Sequence, residues 1–253
     1  MLISTQCVLI AGFSACYNTI FVTLAHIAPI SRMILSPGAL LKEIDAQPNT
    51  RLRLSGKAYL RSNQKRLFDR CCAHMLAPVL GPMVQLGRLA VWADSGGPTL
   101  VALPRVGMDG KIFDQYKIRT MHQGSEGDLV PLELKSRNDD RITRVGRVLR
   151  SLSVDEGPQI KNVLLGDMSF VGNRPLPIEK YEAYCRMDLA FGPAYIAGRP
   201  GITGLQQING RGGVGSEQYI ELAEQYGEKA SLALDADIVW ETFGAVARRE
   251  GAY

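Results

Sequence analysis

From residue 71 to residue 93 the chain carries a single fully charged side chain, Arg88, and is interrupted by Pro78 and Pro82. A run this apolar is long enough to approach the ~20 residues that cross a bilayer, but proline in a helix interior removes a hydrogen bond and bends the helix. Both flanks are basic, with Lys65, Arg66 and Arg70 before and Arg105 and Lys111 after. A straight crossing would leave one basic flank outside, against the positive-inside tendency. The pattern therefore predicts a helix that enters the membrane, bends at the prolines and returns; a kinked helix in a soluble core is the alternative.

A second apolar segment precedes it. Residues 1–31 contain no Lys, Arg, Asp or Glu, and residues 7–30 are long enough to span a bilayer. No basic segment stands before it, so it does not read as a secretory signal. Arg32, Lys42, Arg51 and Arg53 follow, which would place the downstream chain in the cytoplasm. Residues 36–62, with Pro37, Gly38, Pro48, Asn49 and Gly56, read as a linker holding a short helix near residues 39–44.

Composition narrows the chemistry. The five cysteines (Cys7, Cys16, Cys71, Cys72, Cys185) form no C-x-x-C pair and are odd in number, which argues against a disulfide framework or a zinc site. The three histidines, His26, His74 and His122, are scattered, so any acid, base or nucleophile is expected to be a carboxylate. A net charge of +4 is too mild to name a partner, and no nucleic-acid partner is expected.

Beyond Gly96 the texture becomes that of short strands and turns. Residues 106–111 read as a hairpin with Asp109-Gly110 at its turn. In the following strand Lys117 and Arg119, two residues apart, would share a face and could grip a phosphate; on that evidence alone a solvated strand face is the better reading. Residues 139–150 read as a basic amphipathic helix with Arg141, Arg144, Arg147 and Arg150 at spacings of three, either a core helix with a solvated face or a surface for phosphates and lipid headgroups. It leads to Asp155-Glu156, followed by Gly157 and Pro158. Pro158 suits the first position of a helix running to Leu165 and closed by Gly166. Ser153 to Glu156 also matches a capping box, which would make Glu156 a cap but would leave Pro158 inside the helix. Two adjacent carboxylates with cations near suggest a division of labour, one attacking and the other holding a metal or steering a proton. Residues 210–215 fit G-x-G-x-x-G, but too little chain follows for a dinucleotide fold, so they read as a turn before a helix at residues 216–226.

These segments, in their order, resemble the bacterial sugar transferases, the monotopic phosphoglycosyl transferases that include the undecaprenyl-phosphate galactose and glucose phosphotransferases. The resemblance rests on Lys65-Arg66-Leu67-Phe68-Asp69, the apolar hairpin with its proline, Gly97-Pro98, Arg105-Val106-Gly107 and Lys117-Ile118-Arg119-Thr120-Met121. It continues through Arg141 to Arg147, Asp155-Glu156 with Pro158-Gln159, Asn162-Val163-Leu164 and Gly166-Asp167-Met168-Ser169. Arg199-Pro200-Gly201-Ile202-Thr203-Gly204 and Asn209-Gly210-Arg211 close the set.

The resemblance implies a mainly helical α+β fold with a re-entrant membrane helix at about residues 71–93 and a small β-hairpin. The catalytic domain would occupy residues 65–253, behind an N-terminal extension of residues 1–64. It implies a bacterial inner-membrane enzyme with a cytoplasmic catalytic face that uses Mg²⁺. Asp155 would attack the sugar-bearing phosphate of a UDP-sugar, release UMP and hold the phospho-sugar until a polyprenyl phosphate accepts it. Glu156 would carry the metal or assist proton transfer; Lys117, Arg119, Arg141, Asp167, Arg174 and Arg199 would bind phosphate or substrate. The sequence departs from the family pattern at Gly157, where Leu is usual, at Asp140 and Asn173, where Pro is usual, at Ala77, where Ser is usual, and at Ala223, where an acidic residue is common, while Asp235 keeps another acidic position. A second reading is therefore a weakened relative that binds nucleotide sugar or lipid phosphate within an assembly complex.

Overall fold

A computed structural model describes residues 56–125, 139–209 and 215–247. The apolar segment of residues 7–30, the linker helix near residues 39–44 and the glycine turn of residues 210–214 lie outside the described residues.

A short helix α1 (Lys57–Leu60) leads into the long helix α2 (Asn63–Ser95). Ser62 starts α2 by accepting a hydrogen bond from the Lys65 amide, so one otherwise orphan N–H is satisfied. Gly96, at φ 59°, ends it, its N–H bonded to Trp92 O. The helical backbone runs unbroken through Pro78 and Pro82. Both prolines are on the outward face, the side on which a curved helix already opens its hydrogen bonds. The inner face is packed along the whole length: Lys65, Asp69, Ala73, Gly81, Val84, Gly87 and Val91 are buried. The outer face leaves Met75, Val79, Leu86, Leu89 and Trp92 exposed.

The hairpin falls as the sequence predicts. Strand β1 (Leu100–Val106) pairs antiparallel with β2 (Ile112–Ile118), Leu100 opposite Ile118 and Val106 opposite Ile112. The turn between them holds Asp109 at φ 57° and Gly110 at φ 72°, conformations that Asp and Gly tolerate best. After the basic helix α3 (Arg144–Ser151) comes a single 3-10 turn, Val154–Glu156, then α4 (Gln159–Leu165), closed by Gly166 at φ 101°.

The two Arg/Gly/Asp turn segments conceal a second sheet. Strand β3 (Ser169–Val171) pairs in parallel with β4 (Gly201–Thr203). The strands approach so closely that a Cβ at Gly201 would lie 2.1 Å from the Gly172 nitrogen. Between them lie α5 (Ile178–Met187) and α6 (Phe191–Ile196); after them come α7 (Leu205–Ile208), α8 (Ser216–Lys229) and α9 (Leu232–Ala247).

Three apolar clusters carry the packing. One joins α2, α4, β3, α8 and α9 through Ala73, Ile160, Val163, Met168, Leu222 and Ile238. An aromatic cluster of Tyr181, Tyr184, Phe191, Tyr195 and Tyr219 joins α5, α6 and α8. A third, of Val84, Val91, Ile118, Leu149 and Val154, joins α2, the hairpin, α3 and the 3-10 turn. Among these lies a buried charged group: the Lys65 ammonium is 3.0 Å from Asp69 and 2.6 Å from Asp235. Hydroxyls of Tyr59 and Tyr226 donate to Asp235, and Ser169 and the Phe170 amide donate to Asp69. Burial of such charges is tolerable because every one is paired and hydrogen-bonded.

Candidate active site

The acidic turn is built by a local reversal. Thr143 caps α3, its hydroxyl oxygen accepting from the Gly146 amide. The helix thus begins at Arg144, later than the predicted start at Asp139. At its far end Ser153 adopts φ 56°, a conformation uncommon outside glycine, and throws the chain into the 3-10 turn. The Ser153 side chain makes no cap bond, so the capping box is not formed and Glu156 is free of that duty. Pro158 then stands as the cap of α4.

The two carboxylates of the turn have different surroundings. Asp155 is 8% exposed. Glu156, whose side chain is 24% exposed, accepts a 2.6 Å hydrogen bond from the Lys117 ammonium on β2, and Arg174 Nη2 lies 3.7 Å from the same oxygen. Burial pushes the Asp155 carboxyl up to about 6; Lys117 pulls against it, Glu156 adds to it, and Arg150 pulls against it again. The two neighbouring carboxylates thus differ in burial and in their cation partners.

Cations approach this pair from several elements. Lys117 comes from the hairpin, Arg174 from the loop after β3, and Arg150 from the end of α3, where its Nε donates to Thr120 Oγ1 at 2.8 Å. Arg105 of β1, held by Gln115 Oε1 at 3.0 Å, has Arg174 and Glu156 among its charged neighbours. The Arg174 backbone is fixed by two tyrosines: Tyr219 Oη donates to its carbonyl at 2.6 Å and Tyr195 Oη at 3.3 Å. Lys180 sits over the Tyr184 and Tyr219 rings, its ammonium lowered to about 8 by burial and then by Arg174.

Of the residues that the sequence singled out, the structure brings together Asp155, Glu156, Lys117 and Arg174. The structure gives the others the following partners. Arg119 is buried and donates to Ser95 Oγ and the Gly96 carbonyl, closing the end of α2. Strand β2 ends at Ile118, so the strand alternation does not reach Arg119. Arg141 lies before α3 in a two-pronged pair with Asp139, whose carboxyl is pulled down to about 2 by that pairing. Arg199 Nε donates to the Gly166 carbonyl at 2.7 Å, and Asp167 stands at the same end of α4, 3.4 Å from Asn162 Nδ2. Sequence reasoning passed over Arg105, Arg150 and Lys180. Arg150 had the spacing signal of the four arginines and Arg105 belonged to a quoted motif; Lys180, Tyr195 and Tyr219 had none.

Among the described residues no group of three or more His, Cys, Asp or Glu could hold a metal ion. Mg²⁺, however, commonly takes one or two carboxylates and completes its shell with substrate phosphates and water. Adjacent hard-oxygen donors at Asp155 and Glu156 fit an ion that arrives with a diphosphate.

The family model described as bacterial sugar transferase matches residues 60–249. An undecaprenyl-phosphate galactose phosphotransferase of Salmonella typhimurium is 37% identical over 217 residues, covering 80% of this chain and 44% of that relative. A UDP-glucose:undecaprenyl-phosphate glucose-1-phosphate transferase of Caulobacter vibrioides is 39% identical over 198 residues, 75% of this chain and 72% of the relative. The exopolysaccharide production protein ExoY of Rhizobium meliloti is 36% identical over 204 residues, 75% of this chain and 88% of the relative. The chain thus spans less than half the length of the Salmonella relative.

Proposed function

The chain belongs to the bacterial sugar transferase family, and from that premise we propose that it transfers a sugar 1-phosphate from a UDP-sugar to undecaprenyl phosphate, an opening step of exopolysaccharide or related glycan synthesis. The observation that carries the proposal is the placement of a buried carboxylate, Asp155, beside Glu156 among Lys117, Arg174 and Arg150. Two relatives named for this transfer, with undecaprenyl phosphate as acceptor, are 37% and 39% identical to the chain.

In the proposed reaction a carboxylate oxygen of Asp155 forms a bond to the sugar-bearing phosphorus. The bond from that phosphorus to the bridging oxygen breaks, and UMP departs with the electron pair. An oxygen of the lipid phosphate then attacks the same phosphorus and frees Asp155 as carboxylate, leaving a polyprenyl diphosphate sugar. Covalent catalysis divides one difficult displacement into two. Lys117 and Arg174 stand where cations offset the negative charge of the diphosphate, and Arg150 favours the ionised form of Asp155. Glu156 would hold Mg²⁺, which supplies further charge neutralisation at the phosphates.

The outward stripe of α2, with the exposed Arg144, Arg147, Val148 and Leu152 of α3, is the surface we assign to the cytoplasmic leaflet of the inner membrane. Apolar side chains bordered by arginines suit an anionic headgroup layer.

The deciding experiment is nucleotide release from a panel of UDP-sugars, with purified membrane-bound protein, Mg²⁺ and undecaprenyl phosphate. UMP from one donor, lost in Asp155→Asn, supports the proposal. UDP release would mean transfer of the bare sugar, and no nucleotide from a folded sample would favour the weakened, binding-only relative.

A further inference from the structure

Gly157, immediately after the acidic pair, has ordinary right-handed angles, φ −51° and ψ −38°. Backbone freedom therefore does not require glycine there. Space does: a Cβ at this position would lie 2.5 Å from Val84 Cγ2 and 3.1 Å from the Val154 carbonyl oxygen. Val84 is fully buried on the inner face of α2, two residues beyond Pro82. It packs in one cluster with Val154, the first residue of the acidic turn. A β-branched side chain is stiff at χ1, so Val84 cannot readily swing aside.

The same closeness recurs one helical turn on. A Cβ at Gly87 would lie 3.1 Å from both Ile118 Cδ1 and Leu149 Cδ2 and 3.6 Å from Val154 Cγ1. Helix α2 thus meets the 3-10 turn, the end of β2 and the end of α3 at van der Waals distance. Lys117 and Arg150 adjoin Ile118 and Leu149 in sequence. One side of α2 touches the supports of the acidic centre while its other side is the exposed apolar stripe.

We propose that Val84 is a positioning residue for Asp155: its Cγ2, seated in the space left by Gly157, fixes how far the acidic turn stands from α2 and so where the carboxylate meets the phosphorus. The inference rests on the reading of Asp155 as nucleophile. Because close-packed interiors transmit small displacements instead of absorbing them, a methyl group added at residue 157 moves the turn, and the two γ-methyl groups removed by Val84→Ala, Cγ2 among them, give the space back.

The test is a four-member cycle of wild type, Gly157→Ala, Val84→Ala and the double variant, in membrane-bound full-length chain. UMP release per folded protein, KM for the donor, melting temperature and the pH profile of kcat are measured. Gly157→Ala is expected to lower kcat at least tenfold with KM within twofold; in the Val84→Ala background the same substitution is expected to cost less than threefold. If Gly157→Ala does not fold, a folded and active double variant supports the pairing, and a double variant that also fails to fold overturns it. An equal cost in both backgrounds, or a lowered melting temperature with unchanged kcat, overturns the inference while leaving the transferase reading intact. A wild type that releases no UMP overturns both.

Discussion

The Lys117 ammonium lies 2.6 Å from Glu156 Oε1, while the neighbouring Asp155 is buried, 8% exposed. The cation on β2 thus bonds one carboxylate directly and acts on the other through space. Lys117→Met is expected to lower kcat/KM at least a hundredfold, about 3 kcal/mol of transition-state stabilisation. Because Lys117 pulls the Asp155 carboxyl down, its loss is also expected to move the acid limb of the rate profile upward. Steady-state UMP release between pH 5 and 9 checks both; an unmoved acid limb would separate Lys117 from Asp155.

The raised Asp155 carboxyl, about 6 in the folded protein against 3.8 as its ordinary value, has a linked effect on stability. Between those values the folded state holds more protons than the unfolded one, so this group's contribution falls as pH rises through about 6. Above that pH the buried charge costs on the order of 3 kcal/mol. Asp155→Asn is therefore expected to raise the melting temperature at pH 8, with the gain vanishing towards pH 4, while abolishing UMP release. Calorimetry at three pH values reads the sign directly.

Arg174 and Arg199 were equivalent in the sequence and are not in the structure. Arg174→Ala is expected to raise KM for the UDP-sugar tenfold or more, since its guanidinium faces the acidic pair. Arg199→Ala removes a bond to the Gly166 carbonyl, and is expected to lower stability by about 1 kcal/mol with KM within twofold. The reverse pattern in a donor titration would move the phosphate site to the end of α4.

Lys65 lies between Asp69 and Asp235, all three almost wholly buried. Lys65→Met leaves two carboxylates facing each other without a cation, a change of the kind that costs about 3–5 kcal/mol. Loss of folded protein is expected, read by circular dichroism and protease resistance. A stable, folded Lys65→Met would show that this buried ion pair is not what holds the helices together.

Leu86, Leu89 and Trp92 are 67%, 60% and 62% exposed on the outer face of α2. Replacing Leu86 and Leu89 by Glu is expected to leave the fold intact, because neither packs inward, and to reduce binding to anionic vesicles tenfold or more. Co-sedimentation with vesicles of defined composition measures it; unchanged binding would assign the membrane contact to another surface.

The sequence by itself determined what depends on neighbours along the chain. Asp109-Gly110 fixed the hairpin, because few residues take two successive positive φ angles. Pro158 and Gly166 bracketed α4, and the ordered motifs named Asp155, Glu156, Lys117 and Arg174. The tertiary structure alone decided what depends on residues far apart. Proline read locally marks a place where a helix can end, but α2 continues through Pro78 and Pro82, its inner face packed throughout and both prolines on the exposed side. Arginines look alike in sequence; which of them faces Asp155 and which closes a helix end depends on where the carbonyls of Gly96 and Gly166 fall in space. The parallel pairing of β3 with β4, the tyrosines on the Arg174 carbonyl and the contact of Val84 with Gly157 leave no periodicity to read. Each joins segments tens of residues apart, and a contact of that kind has no signature in either segment alone.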